Sequence, residues 1–128
     1  MDDELLEAAV TARENAYAPY SGFRMGAAVR TAGGNVVPGS IVENVSLGLA
    51  MCAERVALFA TIARGDRPVE LAVASPRTSG ELTFPCGACL QVALELGGSD
   101  VVVTAVSPDG ESESSTVGEL LPKGPNKQ

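Results

Sequence analysis

"GACLQVALELGGSDVVVTAV", residues 87–106, decides the fold. Its first half reads as a short apolar helix closed by Gly97 and Gly98, since a helix commonly ends on a glycine in the left-handed conformation. Its second half, "DVVVTAV", is a continuous run rich in β-branched residues, the kind buried on both faces of a sheet. Upstream, "VELAVAS" (69–75) reads as another strand. It follows "GDRP" (65–68), which ends a helix over 53–64. That helix carries Val56, Ala57, Phe59, Ala60 and Ile62, apolar nearly all round, and so predicts burial.

Nearer the N-terminus, residues 3–16 hold Leu5, Leu6, Ala9, Val10 and Ala16 at helical spacing, with acids in the first turn. "YAPYSGF" (17–23) is loop chemistry, broken by Pro19 and Gly22. "MGAAVRT" (25–31) reads as a strand and "AGGN" (32–35) as a turn into "VVPGSIV" (36–42). Pro38 and Gly39 interrupt that second strand, which predicts an edge or bulged position. Downstream, "SPDG" (107–110) turns the chain, "ESESSTV" (111–117) predicts an exposed strand, and "GELLP" (118–122) a short helix. The expectation is an α/β protein: a three-layer α-β-α sandwich around a mixed sheet of about five strands. One domain spans 1–128, with residues 123–128 as a frayed tail.

Bulk composition narrows the function. The chain is 45% apolar, so it lacks the polar bias of a disordered protein. Its net charge is −7 and its nine basic residues are scattered, which argues against a nucleic-acid partner. No apolar stretch is long enough to span a membrane, and "MDDELLEAAV" begins with acids where a signal peptide carries basic residues. A cytoplasmic protein is expected. There is no histidine and there are only three cysteines. Nucleophile pairs built on histidine are therefore excluded, and an odd thiol count in a cytosolic chain argues against a disulfide framework.

All three cysteines fall in two short stretches, "MCAERVAL" (51–58) and "PCGAC" (85–89). Cys86 and Cys89 share one face of a first helical turn if a helix starts at residue 86. Cys52 and Glu54 converge only if Cys52 lies at a helix mouth, before helical angles set in. Three thiolates around one point would make a Zn²⁺ site with its fourth position open to water. Such a centre carries a formal charge of −1, which the adjacent Arg55 would offset. Glu54 would then serve in proton transfer rather than as a ligand. Other readings stand beside this one. Free cysteine is often simply a small buried apolar side chain, Cys86 and Cys89 could form a redox dithiol, and Glu54 could be a solvated helix residue.

"CAE" followed by "PCGAC" resembles the zinc nucleoside deaminase pattern, in its all-cysteine variant. "YAPYSGFRMGAAV" is similar to the entry motif of the small homotetrameric cytidine deaminases. "VENVSLGLAMCAERVALFA" and "PCGACLQVALE" resemble that family's central blocks, and "GELLP" its closing turn. The resemblance covers nearly the whole chain in order. It implies Zn²⁺ held by Cys52, Cys86 and Cys89, with Glu54 as the acid/base in hydrolytic deamination of a cytosine nucleoside. It further implies that the backbone of Ala53 contacts the base carbonyl and that the Phe84 carbonyl faces the leaving amino group. Phe23 would line the pocket, Glu43 would accept a ribose hydroxyl, and Arg55 would hydrogen-bond the thiolates. A nucleoside substrate, a homotetramer and a role in pyrimidine salvage follow from the same resemblance.

Four positions depart from the family pattern. Ile41 in "GSIVEN" stands where an asparagine grips the sugar, Leu47 replaces a tyrosine, Leu90 replaces an arginine, and no aromatic follows Phe84. These changes make the substrate surroundings more apolar or less enclosed while leaving the catalytic group intact. They motivate two alternatives: the same chemistry on a modified cytosine nucleoside such as blasticidin S, or a catalytically reduced zinc- or nucleoside-binding module.

Overall fold

The computed structural model describes residues 2–127. Five strands form one sheet in the order β2-β1-β3-β4-β5. They are β1 (Gly26–Thr31), β2 (Val36–Ser40), β3 (Pro68–Ala74), β4 (Val102–Val106) and β5 (Ser112–Thr116). The β3–β4 pair is parallel and the other pairs are antiparallel, so the sheet is mixed as expected. Helix α3 (Gly87–Gly97) lies between the two parallel strands in sequence, because a parallel pair needs a crossover rather than a tight turn. Gly98 ends α3 at φ +91°, the conformation for which a glycine is suited, and its N–H reaches the Leu94 carbonyl.

Side chains alternate along each strand and sort into two apolar layers. Ala28, Ala72, Ala74 and Val106 pack with Leu5 and Ala9 of α1 (Asp3–Ala12). Ala27, Val29, Val37, Leu71 and Val103 pack with Ala57 and Leu58 of α2 (Ala53–Ala63) and with Leu90 and Leu94 of α3. Val117 of the short α4 (Val117–Leu120) joins that second layer. The small alanines on the α1 side let one helix sit close, while the larger valines and leucines fill the two-helix side. The β4 strand is buried along residues 103–106, as its β-branched run predicts, and the hydroxyl of buried Thr104 is satisfied by that of Ser114.

Pro38 sits on β2, an edge strand, where its missing N–H breaks no ladder. Gly39 beside it has a different task. A Cβ there would lie 2.5 Å from both the Ala53 carbonyl oxygen and the Ala57 nitrogen. The first turn of α2 therefore rests directly on β2 backbone, which fixes the height of the helix mouth. The helix expected over 3–16 ends at Ala12 and tightens into a 3₁₀ turn at Arg13–Asn15. Beyond α4, Gln91 of α3 donates to the Pro125 carbonyl. Residue 128 lies outside the described residues.

The apolar circumference of α2 is not fully covered by this chain. Ala53, Ala57, Leu58 and Thr61 face inward, whereas Phe59 and Ile62 remain 46% and 45% exposed. The burial predicted for this apolar helix is thus met by the chain itself on one side only. The sheet covers one side of the helix, and Val56, Phe59 and Ile62 form a second stripe at helical spacing on the outer side.

Candidate metal centre

Two helix mouths meet at the sulfur cluster. Cys52 is the N-cap of α2 with extended backbone (φ −68°, ψ 149°), and Cys86 is the N-cap of α3 (φ −70°, ψ 168°). Cys89 lies in the first turn of α3 and is buried. Because Cys52 is outside the helical angles, its sulfur can share a site with a residue two positions later. The three sulfurs lie within 4.8 Å of one another, and Cys86 Sγ is 3.6 Å from Cys89 Sγ. A tetrahedral Zn²⁺ with Zn–S of about 2.3 Å requires sulfurs about 3.8 Å apart, so this donor set fits the ion.

Charge around the sulfurs is arranged to match. Arg55 donates from Nη2 to Cys52 Sγ at 3.3 Å. Hydrogen bonding from Cys89, and then from Arg55, lowers the Cys52 thiol to about 5, while the hydrogen bond to Cys52 and then burial raise the Cys89 thiol.

Glu54 is 2% exposed, and its Oε1 is buried without a hydrogen-bond partner. Burial pushes this carboxyl up to about 7, and the neighbouring Cys52 charge adds to the rise. An unsatisfied buried polar atom costs roughly 1–3 kcal/mol, more when charged. A residue needed only to fill space would not be a carboxylic acid. The orphaned oxygen, two residues from Cys52, is placed for something that binds there.

The remaining candidates cluster by way of one short pairing. Val42 and Met51 exchange backbone hydrogen bonds of 3.0 and 2.9 Å, an isolated antiparallel bridge. It ties the segment after β2 to the residue before Cys52. Glu43 Oε1 accepts from the N–H groups of Tyr20 and Ser21 at 3.1 and 3.2 Å, and Oε2 accepts from the Ser21 hydroxyl at 2.5 Å. These donors, the hydroxyl foremost, hold the carboxyl below the usual range. Phe23 is half-buried two residues past Ser21, and its N–H donates to the Ser21 hydroxyl.

Ala53 is buried at the first position of α2, where helical N–H groups have no partner within the helix. Phe84 is half-buried against the core, two residues before Cys86. Of the four departures, Ile41 packs partly buried against the core and Leu90 is buried within it. Leu47 is 85% exposed. Sequence reasoning misses Ser21, although it lies within "YAPYSGF"; a hydroxyl serving two partners leaves no periodic trace.

Residues 1–105 match the family described as "Cytidine and deoxycytidylate deaminase zinc-binding region". The chain belongs to this family. It is 44% identical over 118 residues to a cytidine deaminase of Halalkalibacterium halodurans, covering 92% of this chain and 89% of that one. It is 41% identical to a cytidine deaminase of Mycobacterium tuberculosis, with 89% and 81% covered. Among solved structures, a cytidine deaminase from Burkholderia pseudomallei superposes with a TM-score of 0.89 at 46% identity, covering 97% of this chain and 98% of that chain. The three-sulfur cluster is thus found in a chain of a zinc-binding deaminase family. Among the described residues, no helix is long and apolar enough to cross a membrane.

Proposed function

We propose that this chain catalyses zinc-dependent hydrolytic deamination of a cytosine nucleoside, turning cytidine or 2′-deoxycytidine plus water into the uridine product plus ammonia. The observation that carries this reading is the buried, partnerless Glu54 oxygen two residues from a cysteine of the three-sulfur cluster. The names of the relatives support cytidine over a modified nucleoside. The retained acid speaks against an inactive module.

In this reading Cys52, Cys86 and Cys89 hold Zn²⁺, and Arg55 offsets the excess negative charge through its bond to Cys52. Zinc held there would supply a Lewis acid that makes the attacking water easier to deprotonate. Glu54 moves the protons. Its Oε1 takes one from the attacking water and hands it to N3 of the base, then takes the second from the hydroxyl now on C4 and hands it to the departing amino group. Attack at C4 and loss of that group as ammonia balance the reaction. The Ala53 N–H binds the base carbonyl, the Phe84 carbonyl accepts from the amino group, Phe23 lines the pocket and Glu43 accepts a sugar hydroxyl.

Assembly into a homotetramer is part of the same proposal. The exposed Phe59 and Ile62 on α2, with Val45, Leu47 and Leu49 exposed ahead of Cys52, supply uncovered apolar surface for contact between copies. Three free thiols reserved for a metal suit a reducing, cytoplasmic setting. The reaction suits pyrimidine salvage.

The test follows the ultraviolet absorbance loss that accompanies conversion of cytosine to uracil. Cytosine, cytidine, 2′-deoxycytidine and blasticidin S are compared at equal concentration, with zinc measured in the same sample. The expected result is rapid turnover of cytidine and 2′-deoxycytidine. Turnover confined to blasticidin S, or none with a full complement of zinc, contradicts the proposal.

A further inference from the structure

One exposed hydroxyl joins two of the groups assigned to substrate. Ser21 donates to Glu43 Oε2 and accepts from the Phe23 N–H at 3.0 Å. Its own N–H and that of Tyr20 hold Glu43 Oε1. A carboxylate offers about four acceptor positions, so three donors leave one direction for a ligand. The backbone reinforces the arrangement: the Glu43 N–H donates to the Tyr17 carbonyl, and the Tyr17 N–H to the Ile41 carbonyl. The Val42–Met51 pairing then ties this knot to the residue before Cys52.

We propose that Ser21 is a positioning residue for the deamination: its hydroxyl aims the Glu43 carboxylate at the sugar and sets the backbone that presents Phe23. The proposal rests on the substrate-binding roles proposed for Glu43 and Phe23. The Ile41 side chain, two residues before Glu43 in the same extended segment, offers no polar atom, so a sugar hydroxyl met by the side chains of this segment depends on how well Glu43 is aimed. Without the Ser21 hydroxyl, Glu43 keeps only the two N–H donors on Oε1 and its Oε2 is no longer fixed, and each wrong orientation weakens ground-state and transition-state binding alike. The loss therefore falls on KM and leaves kcat largely intact.

The test is a double-mutant cycle on cytidine deamination, using Ser21→Ala, Glu43→Gln and the double variant, with Ser21→Thr as the conservative control. Zinc content and Tm are measured on each protein. Ser21→Ala is expected to raise KM about tenfold, the size of one charge-assisted hydrogen bond, with kcat within about twofold. Zinc stays at the wild-type level, and Ser21→Thr stays close to wild type in KM. In the Glu43→Gln background the same serine change alters KM less than about twofold, because its target is gone. An unchanged KM in Ser21→Ala, or an equal penalty in both backgrounds, overturns the proposal while leaving the functional reading intact. A wild-type protein that carries zinc but does not deaminate cytidine sinks the functional reading, and this inference with it.

Discussion

Glu54 and Glu43 sit on two strips of chain joined by the Val42–Met51 bridge, and the fold treats them in opposite ways. Glu54, in the first turn of α2, is buried, has an oxygen without a partner and is pushed up to about 7 by that burial. Glu43, in the extended segment after β2, is half-exposed, takes three donors and is held below the usual carboxylate range by the Ser21 hydroxyl foremost. The same functional group thus becomes two devices. An acid left unsatisfied in a dry site can gain and lose a proton during a reaction. An acid held by three donors stays ionised and fixed with one acceptor direction left free, which suits it to read a hydroxyl.

The largest change should come from removing what both acids serve. Cys89→Ser replaces the buried sulfur of the cluster with a harder, less acidic ligand atom. Zinc per chain should fall sharply and deamination by more than about 10³-fold. Full zinc and full rate would detach both carboxylates from any metal chemistry. Glu43→Gln comes next, with KM for cytidine raised about 10–100-fold and kcat little changed. A fall in kcat at constant KM would break the contrast by making Glu43 a participant in chemistry. Ile41→Asn sharpens it by offering the sugar a second polar group near Glu43. The ratio of kcat/KM for cytidine over its 2′,3′-dideoxy analogue should widen about tenfold; no change would leave Glu43 as the whole of sugar reading on this segment.

The smallest effect belongs to a saturated carboxylate outside the site. Asp109, in the turn between β4 and β5, is lowered to about 2 by the Ser107 hydroxyl first, then the Glu111 N–H and Arg77. Its folded value lies below the unfolded value of about 3.9. The stability it contributes is therefore present above about pH 4 and is lost as pH falls toward 2. Asp109→Asn should lower Tm modestly at neutral pH and flatten the decline of Tm over that acid range, with deamination unchanged. A Tm profile identical to wild type would show that donor count alone does not make an acid stabilising.

Much of this architecture is written in local pattern. The glycine pair at 97–98 and the β-branched run after it predict α3 and β4, and Pro38 with Gly39 predicts an edge or bulged strand, of which β2 is the edge. The spacing of Cys52 and Glu54 carries more than composition does, because it demands a non-helical Cys52, and the structure has one. The outer stripe of α2 is not legible in the same way, since periodicity reports how apolar a helix is and not which neighbour covers it. Ser21 and the Val42–Met51 bridge escape for a related reason. They are long-range hydrogen bonds, 22 residues apart for Ser21 and Glu43, and nothing in the intervening sequence repeats to announce them.

The most direct measurement is the deamination rate of Glu54→Gln with zinc determined in the same preparation. The side chain keeps its shape and loses the ability to carry the proton. We expect zinc per chain equal to wild type and kcat lower by about 10³-fold or more. A variant that holds its zinc and deaminates cytidine within tenfold of wild type would contradict the buried carboxylate's role as the proton carrier.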